Sequence, residues 1–268
     1  MTTTRGLRDR EEPITMLTAY DAPTAEVVDE AGIDIVLVGD SMGNAALGYD
    51  STLPVTMADV RSRTAAVARA VDDALVVADM PFLSFGVEEA ESVRNAGEFL
   101  KKADADAVKI ESGPHTVETT RRMTDVGIPV MAHLGLTPQH VNRLGGYTRQ
   151  GTDQDAAEEI LELAKAHEEA GAFSLVLEHA PANLASAVPD ELSIPPFVIG
   201  AGPDTDGQVL VINDVAGMGD WSPPFSKRFG DVRGEMQRAV GEYKEAVEEG
   251  TFPAEEHSHV EDDLEDLY

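Results

Sequence analysis

The sequence contains no cysteine. That excludes disulfides, thiolate metal sites and a cysteine nucleophile. Basic residues are scarce, with 20 Lys plus Arg against 50 Asp plus Glu and a formal net charge of −30. Such a field repels nucleic acid and anionic membrane, so neither is expected as a partner. No apolar run reaches the ~20 residues of a membrane span. The opening MTTTRGLRDREEP lacks the apolar stretch of a signal peptide. A soluble, cytoplasmic protein is expected. No GxGxxG follows the first apolar run, so the dinucleotide fingerprint is missing. No linker rich in Pro, Gly or Ser divides the chain, which predicts one domain.

Hydrophobic residues make up 42% of the 268 positions, enough for a sizeable core. The acids are spread between apolar runs, which argues against an acidic disordered chain. The pattern fits a folded protein with a carboxylate-rich surface, adapted to a high-salt interior where salt screens the repulsion. A catalytic domain over 1–254 is expected, followed by an acidic, mobile tail over 255–268.

Short apolar runs alternate with segments of helical period. The runs are ITMLTA (14–19), IDIVLVGD (33–40), ALVVADMP (74–81), AVKIESG (107–113), PVMAHLG (129–135), SLVLEHAP (174–181), PFVIGAGP (196–203) and QVLVIND (208–214). The last two follow each other too closely for a full helix between them. Near-continuous apolar strands alternating with helices predict a parallel sheet covered on its outer face. The length fits a (β/α)8 TIM barrel of ~250 residues.

Five of these runs finish on ionisable groups: Asp40, Asp79, Glu111, His133 and Glu178. In a barrel the carboxyl ends of the strands form one mouth, where the active site lies. A lone Asp there more often caps a helix or fills a turn. Repetition in successive strands favours a shared site. Oxygen ligands without cysteine suit a hard cation such as Mg²⁺. Lys109 lies two residues before Glu111 and points to the same side of its strand. It is placed to hold an anionic substrate group, and with a metal would bind a small 2-oxo acid and polarise its carbonyl. Glu178, farther round the mouth, is the candidate general base. His133 reads as a hydrogen-bonding pocket residue rather than a ligand. The HSH tract at 257–259 sits in the acidic tail and is not read as a metal site.

The motifs TAYD (18–21), LVGDS (37–41), DSTLPVT (50–56), ADMPF (78–82), VKIESG (108–113), HLGLTPQ (133–139), GGY (145–147), LVLE (175–178) and DGQVLV (206–211) occur in this order. Together they resemble the 3-methyl-2-oxobutanoate hydroxymethyltransferase (ketopantoate hydroxymethyltransferase) family, in a haloarchaeal type. The resemblance runs from about Thr15 to His257. It implies a (β/α)8 barrel and transfer of a one-carbon unit from 5,10-methylenetetrahydrofolate to 3-methyl-2-oxobutanoate, giving 2-dehydropantoate on the route to pantothenate and coenzyme A. It implies one Mg²⁺ per subunit, with Asp40, Asp79 and Glu111 as metal residues. Asp40, Ser41, Asp79, Lys109 and His133 become substrate contacts, and Glu178 the proton acceptor. It also implies a homo-oligomer, by expectation a decamer.

Some positions depart from the family's pattern. PFVIGAG stands where IGIGAG is common, with Val198 replacing a glycine, and Asn213 replaces a histidine. These bear on the folate side and on subunit packing. They leave the metal, lysine and base positions intact. Two other readings remain open at this stage. One is a Mg²⁺-dependent lyase of the phosphoenolpyruvate-mutase type, which would generally use a loop cysteine that this chain lacks. The other is a non-catalytic barrel that binds an oxo acid. The loop over 42–55, with Gly43 and Gly48, is a candidate lid.

Overall fold

All eight apolar runs become strands: β1 (Ile14–Thr18), β2 (Ile35–Val38), β3 (Leu75–Asp79), β4 (Ala107–Glu111), β5 (Val130–Gly135), β6 (Ser174–Glu178), β7 (Pro196–Ile199) and β8 (Gly207–Leu210). In the computed structural model, which describes residues 2–10 and 12–261, each pairs in parallel with its sequence neighbour, and β8 returns to β1. The result is a closed eight-stranded barrel. Contacts divide the chain into two compact units, Met1–Ile212 and Asn213–Tyr268. The barrel is complete within the first. Residues 262–268 of the expected acidic tail lie outside the described residues.

The longer helices begin and end where the chain supplies caps. In α1 (Ala22–Glu30) the Asp21 side chain accepts from the Thr24 amide. Ahead of α2 (Met57–Ala68), Thr56 and Asp59 form a reciprocal capping box. In α3 (Glu89–Ala103) acids open the helix and Lys101 and Lys102 close it, matching its dipole. After α4 (Val117–Asp125) comes α5 (Gln154–Glu169), capped by Asp153. The sequence reading missed a short helix at Thr4–Arg8, whose Leu7 is buried. Between β7 and β8 there is no helix, as their spacing requires.

Alternation along the strands sorts the core into two sets. Val36, Val38, Val76, Ala78, Val108 and Ile110 face outward and pack with residues of the surrounding helices. Ile35, Leu37, Leu75, Val77, Ala107, Met131 and Val176 face inward with Phe173 and Phe197. The inward parity continues to Asp79, Lys109, Glu111, His133 and Glu178. The ionisable groups are therefore the top layer of the interior, stacked directly on an apolar plug. Truncating a plug residue such as Phe197 to Ala would cost ~3–5 kcal/mol.

Gly43 is buried, and a Cβ there would meet the Ser51 carbonyl and Val55 at 2.9 Å. Close packing accounts for this glycine, and it is not a hinge of the 42–55 segment. Gly135 ends β5 at φ +85°, a conformation few other residues adopt. A Cβ there would fall on the main-chain carbonyl of Glu178. That same carbonyl accepts from the Leu136 amide at 2.8 Å. Gly135→Ala therefore combines positive-φ strain with a main-chain clash beside Glu178. A loss of ~1–3 kcal/mol is expected from the strain alone. Thermal melts followed by circular dichroism in molar KCl should show a midpoint lowered by about 2–12 °C. An unchanged midpoint would mean that the β5–β6 main chain yields freely.

Candidate active site

β2 ends in the turn that carries Asp40 and Ser41, ahead of a short helix at Met42–Ala45. Neither side chain caps that helix. Asp40 is buried, and its Oδ2 accepts from Gln139 Nε2 at 2.9 Å. Its main-chain amide donates to Asp79 Oδ2 at 3.2 Å. Ser41 Oγ lies 2.9 Å from the Tyr20 hydroxyl. The mundane reading of Asp40 as a helix cap thus fails, and its carboxylate turns to the mouth.

Lys109 Nζ sits 2.8 Å from Asp79 Oδ2, with both side chains almost wholly buried. Burial raises the Asp79 carboxyl above its ordinary range, Asp40 adds to this, and Lys109 opposes it. Burial works against the Lys109 cation, but Asp79 and Asp40 outweigh it and hold its pKa above the usual value. Glu111 is raised well above the carboxylate range by burial and then by Asp40. Three buried carboxyls therefore crowd around one retained ammonium, so ionising all of them would leave an imbalance of negative charge, which the raised pKa values oppose.

Asp79 Oδ1 is buried and accepts no hydrogen bond. Buried carboxylate oxygens are normally satisfied. Its donor type, its neighbour Asp40 and the local charge imbalance all fit a hard divalent cation. Among the described residues, no three His, Asp or Glu side chains converge closely enough to enclose a metal by themselves. Mg²⁺ does not require such a cluster, since it commonly takes one or two carboxylates and leaves its other positions to water and substrate.

Lys109 Nζ also reaches His133 Nδ1, at 3.2 Å. An ammonium can only donate, so Nδ1 accepts and the ring proton lies on Nε2. Burial, and next the Lys109 charge, lower the His133 pKa, which keeps the ring neutral. Nε2 stands 3.2 Å from Glu178 Oε2, without the alignment of a full hydrogen bond. Glu178 is the partly exposed member of the ring, its side chain 18% accessible where Asp79, Lys109 and His133 are nearly sealed. A continuous chain of contacts thus runs from Asp79 through Lys109 and His133 to Glu178.

Every site residue read from the sequence therefore lies at one mouth. Two neighbours were not foreseen. Gln139 is buried in the turn after β5, and its main-chain amide donates to both Glu111 oxygens, at 2.9 and 3.1 Å. His140 Nδ1 lies 3.3 Å from Glu111 Oε2. Both belong to the segment that follows HLGLT, but a search for ionisable groups at strand ends passes over them.

The sequence model for ketopantoate hydroxymethyltransferase matches residues 1–255. A protein of Halobacterium salinarum named 3-methyl-2-oxobutanoate hydroxymethyltransferase is 69% identical over 264 residues, covering 98% of this chain and 96% of that one. A Natronomonas pharaonis protein of the same name is 67% identical, covering 96% of each. The Syntrophus aciditrophicus protein of that name is 51% identical over 96% of this chain and 94% of its own. Among solved structures, a phosphoenolpyruvate phosphomutase from Streptomyces platensis subsp. rosaceus superposes with a TM-score of 0.63 at 16% identity, over 96% of this chain and 90% of that one. Phosphonopyruvate hydrolase in complex with oxalate and Mg²⁺ gives 0.58 at 15%, over 96% and 93%. At such identity these two show a common barrel and nothing finer. The full-length matches leave no ambiguity at the level of sequence: the chain belongs to the ketopantoate hydroxymethyltransferase family.

Proposed function

We propose that this chain transfers a hydroxymethyl group from 5,10-methylenetetrahydrofolate to 3-methyl-2-oxobutanoate, giving 2-dehydropantoate. The observation that carries the reading is the division of labour at the mouth. Asp40, Asp79 and Glu111 crowd together at one side, and Glu178 stands apart, reached through His133. Asp40 and Asp79 would hold Mg²⁺ directly, with Glu111 at its outer edge. When bound, the ion supplies Lewis-acid polarisation of the 2-oxo group.

The protein's own groups do the rest. Lys109 offers its remaining N–H bond to the substrate carboxylate, and Ser41 adds a hydroxyl at the β2 end. Glu178 takes the proton from C3 of the oxo acid, and the C3 electron pair forms the new bond to the folate's methylene carbon in its ring-opened iminium form, whose C=N π pair returns to nitrogen. His133, neutral and protonated on Nε2, steers the Glu178 carboxylate without supplying a second cation. Water then adds its oxygen to that methylene carbon as the C–N bond breaks, giving the hydroxymethyl group, and a proton goes to the departing nitrogen of tetrahydrofolate. A lyase of the phosphomutase kind gains no separate support, because the structural likeness extends to the fold alone.

Homo-oligomerisation belongs to the same reading. In the second unit, α6 (Val232–Glu248) has no buried residue. Val232, Met236, Val240, Tyr243 and Val247 recur at spacings of three and four, each 40–66% exposed. Arg233 and Arg238 outweigh Glu235 in its first half, and Glu242, Glu245 and Glu248 outweigh Lys244 in its second. An antiparallel second copy would meet this stripe with opposite charge at each end. The family resemblance points to a decamer. Among the described residues, no helix is long and apolar enough to cross a membrane. The acidic composition and the haloarchaeal relatives fit a cytoplasm rich in KCl.

Turnover measured in molar KCl with both substrates should require Mg²⁺ and stop on addition of EDTA. Glu178→Gln should lower kcat by about 10²–10⁴-fold, the usual range for a general base. Retained activity in that variant would remove Glu178 from the role. Met236→Glu combined with Val240→Glu should lower the assembly mass seen by light scattering, with the far-ultraviolet dichroism preserved. An unchanged mass would place the subunit interface elsewhere.

A further inference from the structure

Gln139 lies on the turn Pro138–His140 after β5, and 4% of its surface is exposed. Its side-chain amide donates to Asp40 Oδ2 and to the Met80 carbonyl, each at 2.9 Å. Both partners are acceptors, so the NH₂ group must face them and the amide orientation is fixed. Its main-chain amide meanwhile donates to both oxygens of Glu111. One residue thus ties together the ends of β2, β3 and β4. Two of those ties hold Asp40 and Glu111, and the third is the carbonyl next to Asp79.

We propose that Gln139 is a positioning residue of the divalent-cation site, setting the Asp40 carboxylate against Asp79 and holding Glu111 at its outer edge; this rests on the cation reading given above. The chemistry of the side chain suits the task. A lysine or arginine in its place would neutralise Asp40 and compete with the ion. A glutamate would set an anion against Asp40 and turn an acceptor toward the Met80 carbonyl. An amide satisfies one oxygen of Asp40 without cancelling its charge. Both of its N–H bonds are used, one on Asp40 and one on the Met80 carbonyl, so the amide that orients the carboxylate is itself anchored. Partners one bond beyond the ligands orient metal sites in this way, and their loss costs about 10–100-fold in affinity.

The alternative role is an anchor for the turn, which satisfies the buried Met80 carbonyl and nothing more. Mn²⁺ binding separates the two, with free ion counted by electron paramagnetic resonance in molar KCl. Gln139→Met keeps the volume and the main-chain amide to Glu111 but loses both side-chain donors. Its Mn²⁺ dissociation constant should rise about 10–100-fold, with the far-ultraviolet dichroism of the folded protein. Gln139→Asn retains an amide too short to span Asp40 and Met80. It should weaken binding in the same direction, and it carries the test if the methionine variant does not fold. Asp79→Asn is the control. If Asp79→Asn abolishes binding and the folded Gln139 variants bind within about twofold of the parent, the cation site stands and Gln139 is only an anchor. If Asp79→Asn also binds like the parent, the cation reading fails and this proposal fails with it.

Discussion

The contact on which this molecule depends is the one between Lys109 and Asp79, 2.8 Å apart and sealed from solvent. A barrel can bring several carboxyls to one mouth, but burying them together is costly unless charge is balanced. Lys109 supplies one positive charge at the centre of the ring. It holds Asp79 on one side and fixes the tautomer of His133 on the other. The neutral imidazole then presents its Nε2 proton 3.2 Å from Glu178, short of an aligned hydrogen bond. Removing the ammonium would leave Asp79 unpaired and free the His133 ring to reverse its proton. The Asp40–Asp79–Glu111 cluster and Glu178 are therefore linked through a single buried charge.

Much of this was legible before any coordinates. Strand alternation has period two, so the spacing of Lys109 and Glu111 places both in the interior. The same parity carries Asp79, His133 and Glu178 inward; Asp79 and Glu178 end their strands, and His133 lies two residues before the end of β5. Asp40 is one residue beyond this logic, since β2 ends at Val38 and a turn delivers the carboxylate. Its role as a shared group, and not a helix cap, shows only in the hydrogen bonds it makes. Gln139 was illegible for a different reason. It is neutral, it lies past the strand, and its importance comes from reaching three separate strand ends. The Gly43 case is the converse. A glycine in a loop suggests movement, whereas here it allows the Ser51 main chain and Val55 to close in.

Outside the mouth, the acidic surface is a separate layer of design. Its pairs, such as Lys102 with Glu98 and Arg238 with Glu242, are exposed and individually worth little. They do not hold the barrel together. The interior plug does, and it is built from Ile, Leu, Val, Met and Phe as in any barrel of this kind. The charge of −30 thus acts on solubility and salt dependence, while the chemistry stays in a sealed cluster that bulk salt screens far less.

The most direct test of the division between metal carboxylates and base is proton exchange at C3 of 3-methyl-2-oxobutanoate in D₂O. Nuclear magnetic resonance would follow loss of the C3 proton with the parent protein, Mg²⁺ and molar KCl, both before and after folate is added. Exchange that needs the metal, vanishes in Glu178→Gln and survives in Ser41→Ala is the result expected if Glu178 alone removes the proton. Exchange that persists in Glu178→Gln at the parent's rate would contradict it, and would move the base to another group of the mouth.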